Sequence, residues 1–161
     1  MRKTFEAISL GALAVLWWIT WRALAGPGQL PGRIPTHFNA AGEPNAWGPP
    51  GALWLLPVAA TGLYLFISLV ALFPAAFNFP VRVTPVNRPL LEALTLQMIG
   101  CLKAELACLF LYIQWAILVS VRNGRASLSP LIVPLFLVAV FANIGWHMVA
   151  VFRAARARTG S

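Results

Sequence analysis

The stretch Ala52–Phe73, ALWLLPVAATGLYLFISLVALF, runs for 22 residues without Asp, Glu, Lys or Arg. A helix needs roughly 20 mainly apolar residues to cross a hydrocarbon core about 30 Å thick, so this stretch reads as a membrane span. Leu131–Phe152, LIVPLFLVAVFANIGWHMVAVF, is equally long and equally free of charge, and reads the same way.

Outward from these two, the chain offers two less regular spans. The first, about 5–25, has Glu6 near one end and Arg22 near the other, around a charge-free centre at Ala7–Trp21. Arg22 has a stem long enough to snorkel, and Trp17, Trp18 and Trp21 suit an interfacial belt. The third, about 90–121, carries Glu92, Lys103 and Glu105 in its first half and is charge-free only over Leu106–Val121. It is too long to be a span alone, so it is expected to begin in cytoplasmic solvent. Composition agrees: of 161 residues, 60% are hydrophobic and 10% charged, and the mean hydropathy is +0.78, whereas soluble domains carry about a quarter charged residues.

The expected fold class is therefore an all-α membrane protein, one domain over 1–161 with transmembrane helices at about 5–25, 52–73, 90–121 and 131–152. Between them lie a loop at 26–51, a loop at 74–89 and a basic tail at 153–161. The N-terminal Arg2-Lys3, the apolar run and Ala23-Leu24-Ala25 look like a signal peptide, but the run exceeds the usual apolar length of about 7–15 residues and is rich in Trp. It is expected to stay on the chain.

An even number of spans puts both ends on one side, and the positive-inside rule chooses the side. Seven basic residues (Arg2, Lys3, Arg82, Arg88, Arg153, Arg156, Arg158) fall on the side of the termini, against three (Arg33, Arg122, Arg125) opposite. The termini are expected to be cytoplasmic, in a bacterial inner membrane, with loop 26–51 facing the envelope. This sorting also accounts for the net charge of +8. The basic tail reads as an anchor on anionic lipid, and no nucleic-acid partner is expected.

Loop 26–51 holds six Gly and six Pro and cannot be a regular helix. Pro35 forces Ile34 into an extended conformation, Thr36, His37 and Phe38 continue it, and Asn39 and Gly42 tolerate the positive φ of a reversal. With Ile34, Phe38 and Trp47 folding onto the helix ends or the membrane surface, the loop is expected to form an ordered Pro/Gly-rich, envelope-facing cap. In the second loop, Asn87 is expected to cap the helix that follows.

The pattern Leu30-Pro31-x-x-Ile34-Pro35-Thr36-His37-Phe38-Asn39-x-x-Gly42-x-x-Asn45-x-Trp47-Gly48 resembles the motif of a bacterial membrane domain of unknown function shared with SdpI-type immunity proteins. Asn45 stands where many members carry Asp, and Pro49-Pro50 where a Ser-Lys pair is common. The resemblance implies a binding or immunity module that protects against a secreted toxin. It directs attention to Pro35, His37, Phe38, Asn39, Gly42 and Trp47 as ligand-binding candidates.

A second candidate set is intramembrane and polar: Lys103, Glu105, Gln114, Asn143 and His147. Charge at the centre of a bilayer costs about 2.5–3.5 kcal/mol, so such groups pair or reach water. Lys103 and Glu105 stand two apart and do not face each other on a helix; they form either a polar track inside the bundle or an interfacial pair of side chains. Gln114 is expected to bond another helix, and Asn143 and His147, four apart, share a face from which they can do the same. Pro57 and Pro134 are candidate kink positions. His37 is either a ligand contact or a ring that satisfies loop backbone.

No catalytic constellation is present. The chain has no Asp, no HExxH, no CxxC and no Gly-rich phosphate loop. Asn39 and Glu43 would complete a metal site at His37 only poorly, since zinc prefers His and Cys. No enzyme activity, cofactor or metal is expected. The partners expected are the lipid bilayer and either a membrane protein or a second copy. Three readings follow: a binding or immunity module that recognises a peptide, toxin or lipid; an accessory subunit of a larger complex; and a small transporter or proton relay.

Overall fold

A computed structural model describes residues 2–26, 30–123 and 128–157. Four helices carry the chain: α1 (Arg2–Ala25), α2 (Leu55–Val70), α3 (Arg88–Asn123) and α4 (Ile132–Ala157). With the short 3₁₀ turn Pro50–Trp54 leading into α2, each is long and apolar enough to cross a membrane, the architecture of a multi-pass membrane protein. Arg125 and Arg158 from the charge count, loop positions 27–29 and the end of the basic tail lie outside the described residues.

The helices pack because each carries a stripe that tolerates close approach. In α1 the buried positions are Ser9, Ala12, Leu13, Leu16, Thr20 and Ala23, a 3.6-residue repeat on one face. The two hydroxyls in that stripe are satisfied within the helix: Ser9 Oγ donates to Phe5 O and Thr20 Oγ1 to Leu16 O, both at 2.8 Å. Opposite them, α3 presents the small residues Gly100, Ala104 and Ala107. A Cβ built on Gly100 would lie 3.6 Å from Phe5 Cβ, so the backbones already meet closely there.

α3 is central. It packs against α1, α2 and α4, whereas α4 has its substantial contacts with α3. At 36 residues it extends roughly 54 Å, well beyond a bilayer core of about 30 Å. Contacts set the register: Phe5 lies beside Gly100, and Thr20 bonds Gln114. The first turns of α3 therefore project past the N-terminal end of α1, as the charge pattern implies. Across α1 and α2, Trp17 Nε1 donates to Thr61 Oγ1 at 3.0 Å, and the Trp17 and Trp54 rings stand 5.5 Å apart.

The expected all-α fold omits one element. Strands β1 (Ile34–Phe38) and β2 (Pro44–Gly48) form an antiparallel hairpin, paired Ile34 with Gly48, Pro35 with Trp47, His37 with Ala46 and Phe38 with Pro44, with irregularities on both sides of His37. Ile34 is fully buried in a cluster with Ala23, Leu53, Ile117 and Leu118, with Leu30 and Phe38 packed against it. This seats the hairpin on the end of the bundle formed by the C-terminal ends of α1 and α3.

Three local expectations change. Asn39 has no positive φ; of the two, Gly42 has one, at 79°. Asn39 Oδ1 instead accepts from Ala41 N and Glu43 N at 3.0 and 2.9 Å, closing the turn with its side chain. Asn87 stands at the start of α3 but does not use its side chain as an N-cap: its Oδ1 accepts from Thr84 N at 2.8 Å and its Nδ2 donates to Arg82 O at 3.0 Å, fixing the preceding turn. Asn87 is fully buried, so Asn87→Ala orphans both backbone groups. It is expected to destabilise the protein by roughly 2 kcal/mol, read as a lower midpoint in detergent unfolding. Pro57 and Pro134 are each the third residue of their helices, inside the first turn where no interior hydrogen bond is lost, and so need not kink them.

Candidate functional site

The residues singled out in the sequence fall into three groups. The first is at the hairpin. Its inner face and the ends of α2 and α3 enclose a cavity of about 280 Å³, to which Pro35, His37 and Phe38 contribute from β1, Leu53 from the approach to α2, Leu56 from its first turn, and Gln114 from α3. His37 Nδ1 bonds Asn45 Oδ1 across the hairpin, a side-chain partner and not the loop backbone.

Gln114 is the one member of the intramembrane set that joins this group. It is fully buried, and its Nε2 donates to Thr20 Oγ1 at 2.8 Å and to Leu53 O at 3.3 Å. The amide orientation is settled by chemistry: the Thr20 hydroxyl already donates to Leu16 O and Leu53 O can only accept, so the NH₂ group must face both. That leaves Gln114 Oε1, buried and without a hydrogen-bond partner among the described residues.

Trp47, Asn39 and Gly42 do not line this cavity. Trp47 borders a separate depression with Pro31, Arg33, Pro35, Pro44, Ser120 and Val121, and its carbonyl accepts from Arg33 at 3.2 Å. Asn39 is absorbed by the turn, its Nδ2 donating to Glu43 Oε2 at 3.3 Å. Gly42 anchors the hairpin tip, its carbonyl accepting from Leu128 N at 2.8 Å.

The second group surrounds Lys103, which is 5% exposed and inside the bundle. Its ammonium pairs with Glu6 of α1, donates to Ser68 Oγ of α2 at 3.1 Å, and lies 4.6 Å from the centre of the Tyr64 ring. Tyr64 donates its hydroxyl to the other oxygen of Glu6 at 2.9 Å. A cavity of about 200 Å³ reaches this cluster past Arg2. Sequence reading missed Tyr64 and Ser68 as members. The available signal was one acid in the first span and one base in the third, each in need of a partner.

The third group lies between α3 and α4. Glu105 accepts from Asn143 Nδ2 at 3.2 Å, and Cys101 Sγ is 3.6 Å from its other oxygen. Lys103 and Glu105 thus serve different interfaces, in keeping with their spacing. Asn143 also donates to Met98 O at 3.4 Å. His147 Nδ1 bonds Asn143 O at 2.9 Å within its own helix, not another one as expected, because a carbonyl one turn back is in reach. Among the described residues, no group of three or more His, Cys, Asp and Glu side chains is placed to hold a metal ion.

Comparison with known proteins gives a partial match. Residues 8–61, which span most of α1, the hairpin and the start of α2, match the model of DUF1648, a domain of unknown function. An uncharacterized protein of Archaeoglobus fulgidus is 29% identical over 157 residues, covering 85% of this chain and 81% of the relative. No solved structure matches the chain.

Proposed function

We propose that the chain is a non-enzymatic binding module of the SdpI-like kind in a bacterial cytoplasmic membrane, recognising a peptide, such as a secreted toxin, through its hairpin. The observation that carries this reading is the mainly apolar cavity roofed by the hairpin, whose lining includes Gln114, a residue with a buried Oε1 that has no partner among the described residues. A buried acceptor without a donor costs about 1–3 kcal/mol, a cost that is relieved when the lining side chains part and a ligand N–H reaches it. The remainder of the lining is mainly apolar, the combination that suits an apolar side chain followed by its backbone amide.

Charge supports an envelope-facing hairpin. Among the described residues, Arg2, Lys3, Arg82, Arg88, Arg153 and Arg156 fall toward the end of the molecule away from the hairpin, and Arg22, Arg33 and Arg122 toward it. Both termini are cytoplasmic in this reading. With the hairpin outside, its cavity opens where a secreted peptide arrives.

The test places a photo-crosslinking residue at Phe38, which lines the cavity, or at Glu43, on the hairpin tip, in cells exposed to candidate peptides. An adduct of one peptide mass is expected at 38 and not at 43, and Gln114→Met is expected to reduce it about tenfold while leaving the amount of inserted protein unchanged. Equal adducts at both positions, a lipid adduct alone, or indifference to Gln114→Met would contradict the reading.

A further inference from the structure

At the end of the bundle away from the hairpin, α3 and α4 border a groove of about 650 Å³. Its walls are apolar, formed by Leu90 and Leu94 of α3 and by Gly145, Trp146 and Val149 of α4, and Arg153 stands among the lining residues near the end of α4. The groove is amphipathic along its length: a hydrocarbon-lined trough that ends in a guanidinium. Arg153 is exposed and follows directly on the apolar run that ends at Phe152, the level at which a helix emerges from hydrocarbon into headgroups.

None of the glutamates of the chain is free to meet Arg153. The protein has four acidic residues and no Asp. Glu6 is held by Lys103 and Tyr64, Glu92 by Arg88 at 2.8 Å, and Glu105 by Asn143. Glu43 is on the hairpin, bonded to Asn39 at the far end of the bundle. A second copy therefore has no free glutamate to offer at this position. Basic pockets between helices at a cytoplasmic membrane face meet phosphate headgroups, and each basic side chain there favours an anionic lipid severalfold.

We infer that the groove between α3 and α4 is a binding site for one anionic phospholipid of the surrounding bilayer, with an acyl chain lying along Leu94 and Val149 and the phosphate on Arg153. Gly145 shapes the trough: a Cβ built there meets nothing within 4 Å, so a larger side chain enters space that the lipid occupies. The inference is independent of the hairpin reading, because no residue of the groove lines the hairpin cavity.

The experiment is native mass spectrometry of the full chain, released from bilayers of equal parts phosphatidylglycerol and phosphatidylcholine, with monodispersity and helix content measured in parallel. The wild type is expected to retain one phosphatidylglycerol. Arg153→Gln is expected to lower its preference over phosphatidylcholine about fivefold, Arg153→Lys to keep most of it, and Gly145→Leu to lose both lipids while staying monodisperse and helical. Equal retention of the two lipids by the wild type would overturn the site. So would retention unchanged by Arg153→Gln, or a dimer that Gly145→Leu dissociates. If Gly145→Leu fails to fold, the Arg153 pair decides alone.

Discussion

Glu6→Gln is expected to destabilise the protein by roughly 3–5 kcal/mol, more than Lys103→Met, and the double variant is expected to recover most of the loss. The asymmetry follows from burial. The Lys103 side chain is 4% exposed and that of Glu6 31%, so removing the acid strands a charge inside the bundle. Removing the base leaves a carboxylate that is still bonded to Tyr64 and is nearer the surface. Hydrogen bonds between membrane helices average only about 0.6 kcal/mol, so the effect is too large to be the loss of a contact. It is the penalty of an uncompensated ion. Unfolding titration of the three variants in mixed micelles measures it, and additive single-variant losses would show that the pair is not coupled.

The second large effect is at Gly42. A Cβ there would stand 1.9 Å from Leu128 O, and the residue has φ of +79°. Gly42→Ala thus combines left-handed strain with a collision between the new Cβ and the backbone oxygen of Leu128, which no side-chain rotation can move aside. The bond from Leu128 N to Gly42 O is lost when the tip lifts. Together these weaken hairpin seating by roughly 2–4 kcal/mol. Hydrogen exchange is expected to show the Leu128 amide losing roughly thirtyfold or more of its protection, with the amides of α1 and α3 unchanged. Unchanged protection at Leu128 would mean that the hairpin tip does not depend on this contact.

The four helices were legible in the sequence because each is announced by a long apolar run, and the split roles of Lys103 and Glu105 because residues two apart cannot share a helix face. The hairpin was legible only in part. Ile34, Thr36, His37 and Phe38 read as extended, yet Pro35 and Pro44 obscure a pair of strands, since proline withholds a ladder donor and is confined to edges. A hairpin with two edges and no third strand accommodates both.

The association of Gln114 with the hairpin residues was hidden for a different reason. Periodicity gives the face of a helix a side chain occupies, but not which neighbour that face meets. Gln114 meets α1 through Thr20 and the approach to α2 through Leu53, and only the packing of these segments puts its amide beneath β1. The same holds for Glu6, 97 positions from Lys103 in sequence. Each looked like a single charge at the margin of a span until α1 and α3 were seen side by side.

A secreted peptide meets the hairpin only if the hairpin lies on the envelope side of a membrane crossed four times. With Cys101 and Cys108 replaced by Ala and a single cysteine put at the exposed Ala46, intact spheroplasts treated with a membrane-impermeant maleimide measure this directly. Full labelling before permeabilisation is the predicted result. Labelling that appears only once the membrane is opened would put the hairpin in the cytoplasm and contradict the account.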